Sequence, residues 1–134
     1  MAVTDRKTAY PFAEVFEVTS NGTTAVEICT LPANTIVTGV IVLIKTAATV
    51  TGNLIIGDAS DDDGYISAQD GTAAAGTIYG DTPSERGAYL YDSTVKGGYW
   101  KLLVTATAVN LDMSDAPTTE GVYEVTIFGY SYAS

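Results

Sequence analysis

Residues 36–44 read Ile-Val-Thr-Gly-Val-Ile-Val-Leu-Ile, and apolar side chains occupy both parities of any strand they form. A strand with one wet face alternates apolar with polar, because successive side chains point to opposite faces. This stretch therefore needs cover on both sides, from the inner layers of a sandwich or from a neighbouring subunit. The constraint selects a β-protein with a surface to hide. The remainder of the chain agrees, being rich in Val, Ile, Thr, Tyr and Gly, with no His and a single cysteine, Cys29.

Turn signals recur at short intervals: Ser20-Asn21-Gly22, Pro32-Ala33-Asn34, Thr51-Gly52-Asn53, Asp58 to Gly64, Gly71, Gly80 to Pro83, Gly97-Gly98 and Asp112 to Gly121. The segments between them, rich in β-branched and aromatic residues, predict strands over 11–19, 23–31, 35–46, 53–57, 64–67, 87–92, 99–109 and 122–130. In 122–130, Tyr123, Val125 and Ile127 oppose Glu124 and Thr126 at a two-residue period. In 99–109, Trp100, Leu102, Val104, Ala106 and Ala108 share one parity. About eight strands joined by two long connections, 58–63 and 68–86, predict an all-β antiparallel sandwich of jelly-roll or Greek-key type. Residues 1–10 are polar and irregular, an N-terminal arm expected to become ordered on a neighbour. Residues 11–134 suit a single domain, since 134 residues fit one core.

Sixteen acidic against six basic residues give a net charge of −10. That balance opposes docking onto nucleic acid or an anionic bilayer, both polyanions. Without His, a Ser-His-Asp or Cys-His centre cannot be built, and one cysteine supplies neither an internal disulfide nor a zinc site. No Gly-x-Ser-x-Gly elbow or phosphate-cradling loop is present, and no carboxylate pair is marked for glycoside cleavage. The N-terminus lacks a signal-peptide core and no stretch reaches ~18 apolar residues. The expected product is non-enzymatic, made in a host cytoplasm and free of membrane spans.

The candidate contact residues come from three places. Ile36, Val40, Ile41 and Leu43 belong to the two-sided strand. Tyr89 and Tyr91 lie in the loop-rich middle, where a tyrosine ring supplies rigid area and its hydroxyl finds a partner. Phe128, Tyr130 and Tyr132 crowd the chain end, where little of the domain is left to bury them. The run 58–63 holds four carboxylates, and Asp58, Asp61 and Asp63 are conceivable calcium ligands. It does not fit an EF-hand loop, and a solvated turn with Asp side chains bonded to local amides is the favoured reading over a calcium site.

The order Leu31-Pro32-Ala33-Asn34-Thr35-Ile36-Val37-Thr38-Gly39-Val40, then Gly52-Asn53-Leu54-Ile55-Ile56-Gly57-Asp58, then Asp63-Gly64-Tyr65, resembles small virion proteins of tailed bacteriophages. The resemblance implies a capsid decoration or cement protein: a β-rich homo-oligomer, commonly a trimer, seated on the major capsid protein at the capsid surface. It carries no catalytic residues over. Two other readings stand beside it. One is a carbohydrate-binding sandwich of a tail fibre, using Tyr89, Tyr91, Tyr99 or Trp100 as a stacking platform. The other is a different phage part, such as a head-tail connector or tail subunit.

Overall fold

The computed structural model describes residues 6–49, 52–114 and 119–132. Eleven strands run in chain order: β1 (Ala9–Thr19), β2 (Val26–Leu31), β3 (Thr35–Thr46), β4 (Asn53–Gly57), β5 (Ile66–Asp70), β6 (Ile78–Tyr79), β7 (Tyr91–Asp92), β8 (Gly97–Gly98), β9 (Lys101–Leu103), β10 (Thr107–Met113) and β11 (Val122–Tyr132). Among the described residues the helical content is one 3-10 turn, Pro83–Glu85. The larger sheet has the order β1-β11-β3-β6, with β9 also on β3; the smaller has the order β2-β10-β4-β5. Strands β7 and β8 form a separate ribbon. All pairings are antiparallel. The chain passes between sheets at nearly every connection, as the predicted all-β sandwich requires.

The core lies between the sheets. The larger sheet contributes Val37, Val40, Val42 and Ile44 from β3 and Tyr123, Val125 and Ile127 from β11, each 1% exposed or less. The smaller sheet answers with Leu54 and Ile56 from β4, Ile66 from β5, and Val109, Leu111 and Met113 from β10. Tyr123 carries a hydroxyl into this layer and donates it to the Gly71 carbonyl at 2.9 Å. Burial pushes that phenol up to about 12. The bond offsets the cost of enclosing a polar atom.

Two features depart from the strands expected from sequence. Strand β3 is bulged: Phe128 pairs with Gly39 and Gly129 with Val37, so Thr38 is the extra residue, and its hydroxyl donates to the Phe128 carbonyl. The bulge lets Val37 and Val40, three positions apart, both face inward. The segment 99–109 is not one strand. Lys101–Leu103 pairs with β3, the chain bends at 104–106, and Thr107–Met113 joins the smaller sheet between β2 and β4. The apolar parity of the segment is also not the dry one: Trp100, Leu102 and Val104 stay exposed, while Leu103 and Val109 of the other parity are buried in the core. At the other end, β1 begins at Ala9, two residues into the segment expected as an arm.

Candidate assembly interface

The face of the larger sheet turned away from the core is built from rows of directly paired residues. One row runs Pro11, Tyr130, Ile36 and Leu102 across β1, β11, β3 and β9. The next runs Ala13, Phe128 and Gly39, and a third Val15, Thr126 and Ile41. Phe128 lies over Gly39, where any Cβ would collide with the ring. Trp100, immediately before β9, packs on Tyr130 at 6.1 Å between ring centroids. Toward the other end Ile78 of β6 pairs with Leu43. The face therefore carries an apolar field in which Trp100 is 65%, Val15 59%, Leu102 47% and Tyr130 39% exposed.

Charge on this face is sparse and balanced. Glu17 and Glu124 pair directly, a like-charge arrangement that would repel, and Lys45 sits between them at 3.7 and 3.8 Å. The Lys7 ammonium lies 6.0 Å from the Tyr132 ring. Two of the chain's sixteen acidic residues thus stand in the paired rows of this face. The outward row of the smaller sheet differs: Glu27, Asn110 and Gly57 form one row and Asp112 pairs with Ile55 in the next. Protein exteriors tolerate scattered apolar groups, and a contiguous apolar field on a chain of charge −10 makes this face the candidate contact surface.

The structure brings Ile36, Ile41, Leu43, Phe128, Tyr130 and Tyr132 onto this one outer face. Val40 it places in the core. Tyr89 and Tyr91 lie elsewhere, Tyr89 in a loop and Tyr91 in the β7–β8 ribbon. The Tyr89 hydroxyl donates to Asp58 Oδ1 at 2.9 Å, the Lys101 ammonium stands 4.0 Å from the centre of its ring, and its edge meets Tyr65 at 5.2 Å. Burial, followed by the bond to Asp58, raises the Tyr89 phenol above its ordinary range. Tyr91 lines a shallow cleft of about 330 Å³ with Ala88, Asp92, Ser93 and Tyr99. There the Tyr99 hydroxyl donates to Asp92 Oδ2 at 2.6 Å, which holds the Asp92 carboxyl below the usual carboxylate range. The four rings of a stacking platform are thus divided among three places. Pro11, Val15 and Leu102 join the face without being marked as contacts by sequence, and Trp100 joins it though it was offered only for glycan stacking; the shared parity of Trp100 and Leu102 was the available signal.

The acidic loop has a structural use for Asp58. Its Oδ1 accepts the Ser60 and Asp61 amides at 2.9 and 3.0 Å as well as the Tyr89 hydroxyl. Asp61, Asp62 and Asp63 group their carboxylates within 4.8 Å of one another beside it. A hydrogen bond from Asp63 to Asp61, then burial and the neighbouring charges, raises the Asp63 carboxyl. Asp58 is committed to the turn, while the other three carboxylates crowd the loop tip. Beneath lies Tyr65, fully buried, whose hydroxyl finds no hydrogen-bond partner among the described residues and whose phenol burial pushes up.

No family model and no curated protein matches the chain. Among solved structures, a chain of the Cyanophage Pam1 capsid asymmetric unit superposes with a TM-score of 0.61 at 23% identity, covering 98% of this chain and 92% of that one. A chain of the acidic stable capsid structure of Helicobacter pylori bacteriophage KHP30 superposes with a TM-score of 0.56 at 14% identity, covering 96% and 99%. Nearly the whole of each molecule is included. At such identities the likeness is one of fold.

Proposed function

We propose that the chain is a non-enzymatic structural subunit of a tailed-phage head, acting as a decoration or cement protein. The observation that carries this reading is the apolar, charge-balanced outer face of the larger sheet. The two capsid chains of like fold support it, as does the resemblance of residues 31–65 to small virion proteins. In this role the outer face lies against the major capsid protein or a neighbouring copy at the capsid surface. The expected arm, residues 1–10, lies outside the described residues at 1–5 and enters β1 at Ala9, and residues 11–134 act as one domain. The self-assembled unit is a trimer, as the resemblance implies.

The energetics suit such a part. Each apolar Å² removed from water contributes about 25 cal/mol, before the loss of rotational and translational freedom is subtracted. A single contact of this size is modest; repetition over a closed lattice multiplies its effect. The acidic residues on the remaining surface keep the subunit soluble and away from nucleic acid before assembly.

Electron microscopy of particles made without the gene tests the role. Heads that close but lack surface density, and regain it when purified protein is added, support it. Heads complete in every surface feature would refute it. The tail-fibre reading predicts instead glycan binding lost on mutation of Tyr91 and Tyr99.

A further inference from the structure

The open side of β1 is a second unsatisfied surface, distinct from the outer face. The Ser20 amide donates to the Gly121 carbonyl at 2.9 Å, one step beyond the pair Thr19 and Val122. The β1–β11 register continues from there to Ala9 without a bulge. In an antiparallel ladder alternate residues direct their backbone groups to the same side. The even-numbered residues of β1 therefore bond β11, and Pro11, Ala13, Val15, Glu17 and Thr19 direct theirs outward. Strand β1 ends the order of its sheet, so no described strand receives them. Pro11, lacking an N–H, falls on this open side, the one place a strand proline costs no ladder bond. Past it lies a flat edge of free donors and acceptors, a template for another strand.

We propose that this edge pairs with the same edge of a second copy, antiparallel about a two-fold axis at Phe16. The sequence is self-complementary in that register. Ala13 meets Thr19 of the second copy and Val15 meets its Glu17, so every open amide and carbonyl from 13 to 19 finds a partner. Pro11 lies outside the paired stretch. On the intervening positions Phe16 faces Phe16 and Glu14 faces Val18, and no carboxylate opposes another. Other axes are worse. An axis at Glu14 sets Glu14 against itself, one at Glu17 does the same to Glu17, and one at Val15 or Ala13 brings Pro11 into the ladder. Glu14, directed to the inner side of the edge beside Ile127 in the register, disfavours apolar foreign strands and helps select this pairing. The paired copies share one continuous larger sheet, and their charge-balanced outer faces lie side by side.

This contact is independent of the shell role, since it forms between free chains. It is also compatible with a trimer, because three-fold and two-fold axes coexist on closed lattices. Native mass spectrometry and sedimentation test it with Val15→Pro, which deletes an open-edge N–H and leaves the β11 ladder intact. The wild-type chain is expected as an even-numbered species, a dimer or a hexamer, and V15P at half that mass with an unchanged circular dichroism spectrum. Should V15P fail to fold, Ala13→Lys with Val15→Lys crowds the same edge with charge and is expected to halve the mass likewise. Phe16→Cys in a Cys29→Ser background is expected to cross-link two copies on oxidation. A wild-type monomer or trimer at every concentration, or an edge variant that folds and keeps the wild-type mass, would overturn the pairing. A dimer of F16C that does not cross-link would overturn the register.

Discussion

The two sheets bury similar aliphatic residues between them, yet their outward faces are opposites. Outside the larger sheet stand Pro11, Tyr130, Ile36 and Leu102 in one row, with Trp100 on top. Outside the smaller sheet the rows hold Glu27, Asn110 and Asp112. A lone soluble sandwich has no use for the first arrangement, because water pays no return on an exposed tryptophan beside an exposed leucine. The asymmetry teaches that the two outward faces differ in what they offer: one is apolar, and the other carries more polar and acidic groups. One strand, β3, contributes both to the core and to the apolar outer face, which is why its sequence is apolar at both parities.

That contrast can be broken first by charge. Ile36→Asp with Leu102→Asp is expected to reduce binding to particles lacking the protein by at least ~100-fold, since a buried unpaired carboxylate costs several kcal/mol. Ala108→Asp, outside the smaller sheet, is expected to change binding by less than about twofold. Cosedimentation with such particles measures both. Next in size is the core: Leu111→Ala should lower the unfolding free energy by about 2–5 kcal/mol in urea titration, whereas Leu102→Ala on the outer face should alter the isolated chain by about 0.5 kcal/mol or less.

Tyr123→Phe removes the bond to Gly71 and is expected to cost about 1–3 kcal/mol. Its pH dependence has a definite sign. The native phenol is raised from 10.0 to about 12, so its stabilisation is complete below pH 10 and is lost as pH rises toward 12. The difference between wild type and Y123F should therefore shrink over that window. The smallest effect concerns Cys29, in β2 opposite Val109 of β10. Burial first, then the charges of Glu14 and Glu27, raise its thiol to about 11. Glu14→Gln should lower it and speed alkylation at pH 8 by about twofold to fivefold.

The turn residues and two-residue periods carry the all-β class, and the double parity of 36–44 is that of a strand with one face in the core and an apolar outer face. The bulge at Thr38 was not legible, because apolar residues flank it on both parities and no side chain marks the change of phase; Gly39 alone hints at it. The sheet switch within 99–109 was hidden because alternation says nothing of which strand is the neighbour, and here it also pointed to the wrong face, since the apolar parity of Trp100, Leu102 and Val104 is exposed while Leu103 and Val109 are buried. Among the contact candidates, Tyr130 and Tyr132 share a face with Ile36 because β11 and β3 pair, a long-range fact. Tyr89 went instead to the loop around Asp58, where its hydroxyl had a carboxylate to bond.

The central claim is that the outer face of the larger sheet is covered in the particle. Hydroxyl-radical footprinting of Trp100 and Tyr130, compared between the free chain and assembled heads, measures this at the residues concerned. The account predicts that labelling of both falls at least ~10-fold on assembly while Tyr99, in the loop cleft, keeps its free-chain rate. Equal labelling of Trp100 and Tyr130 in the two states would contradict it.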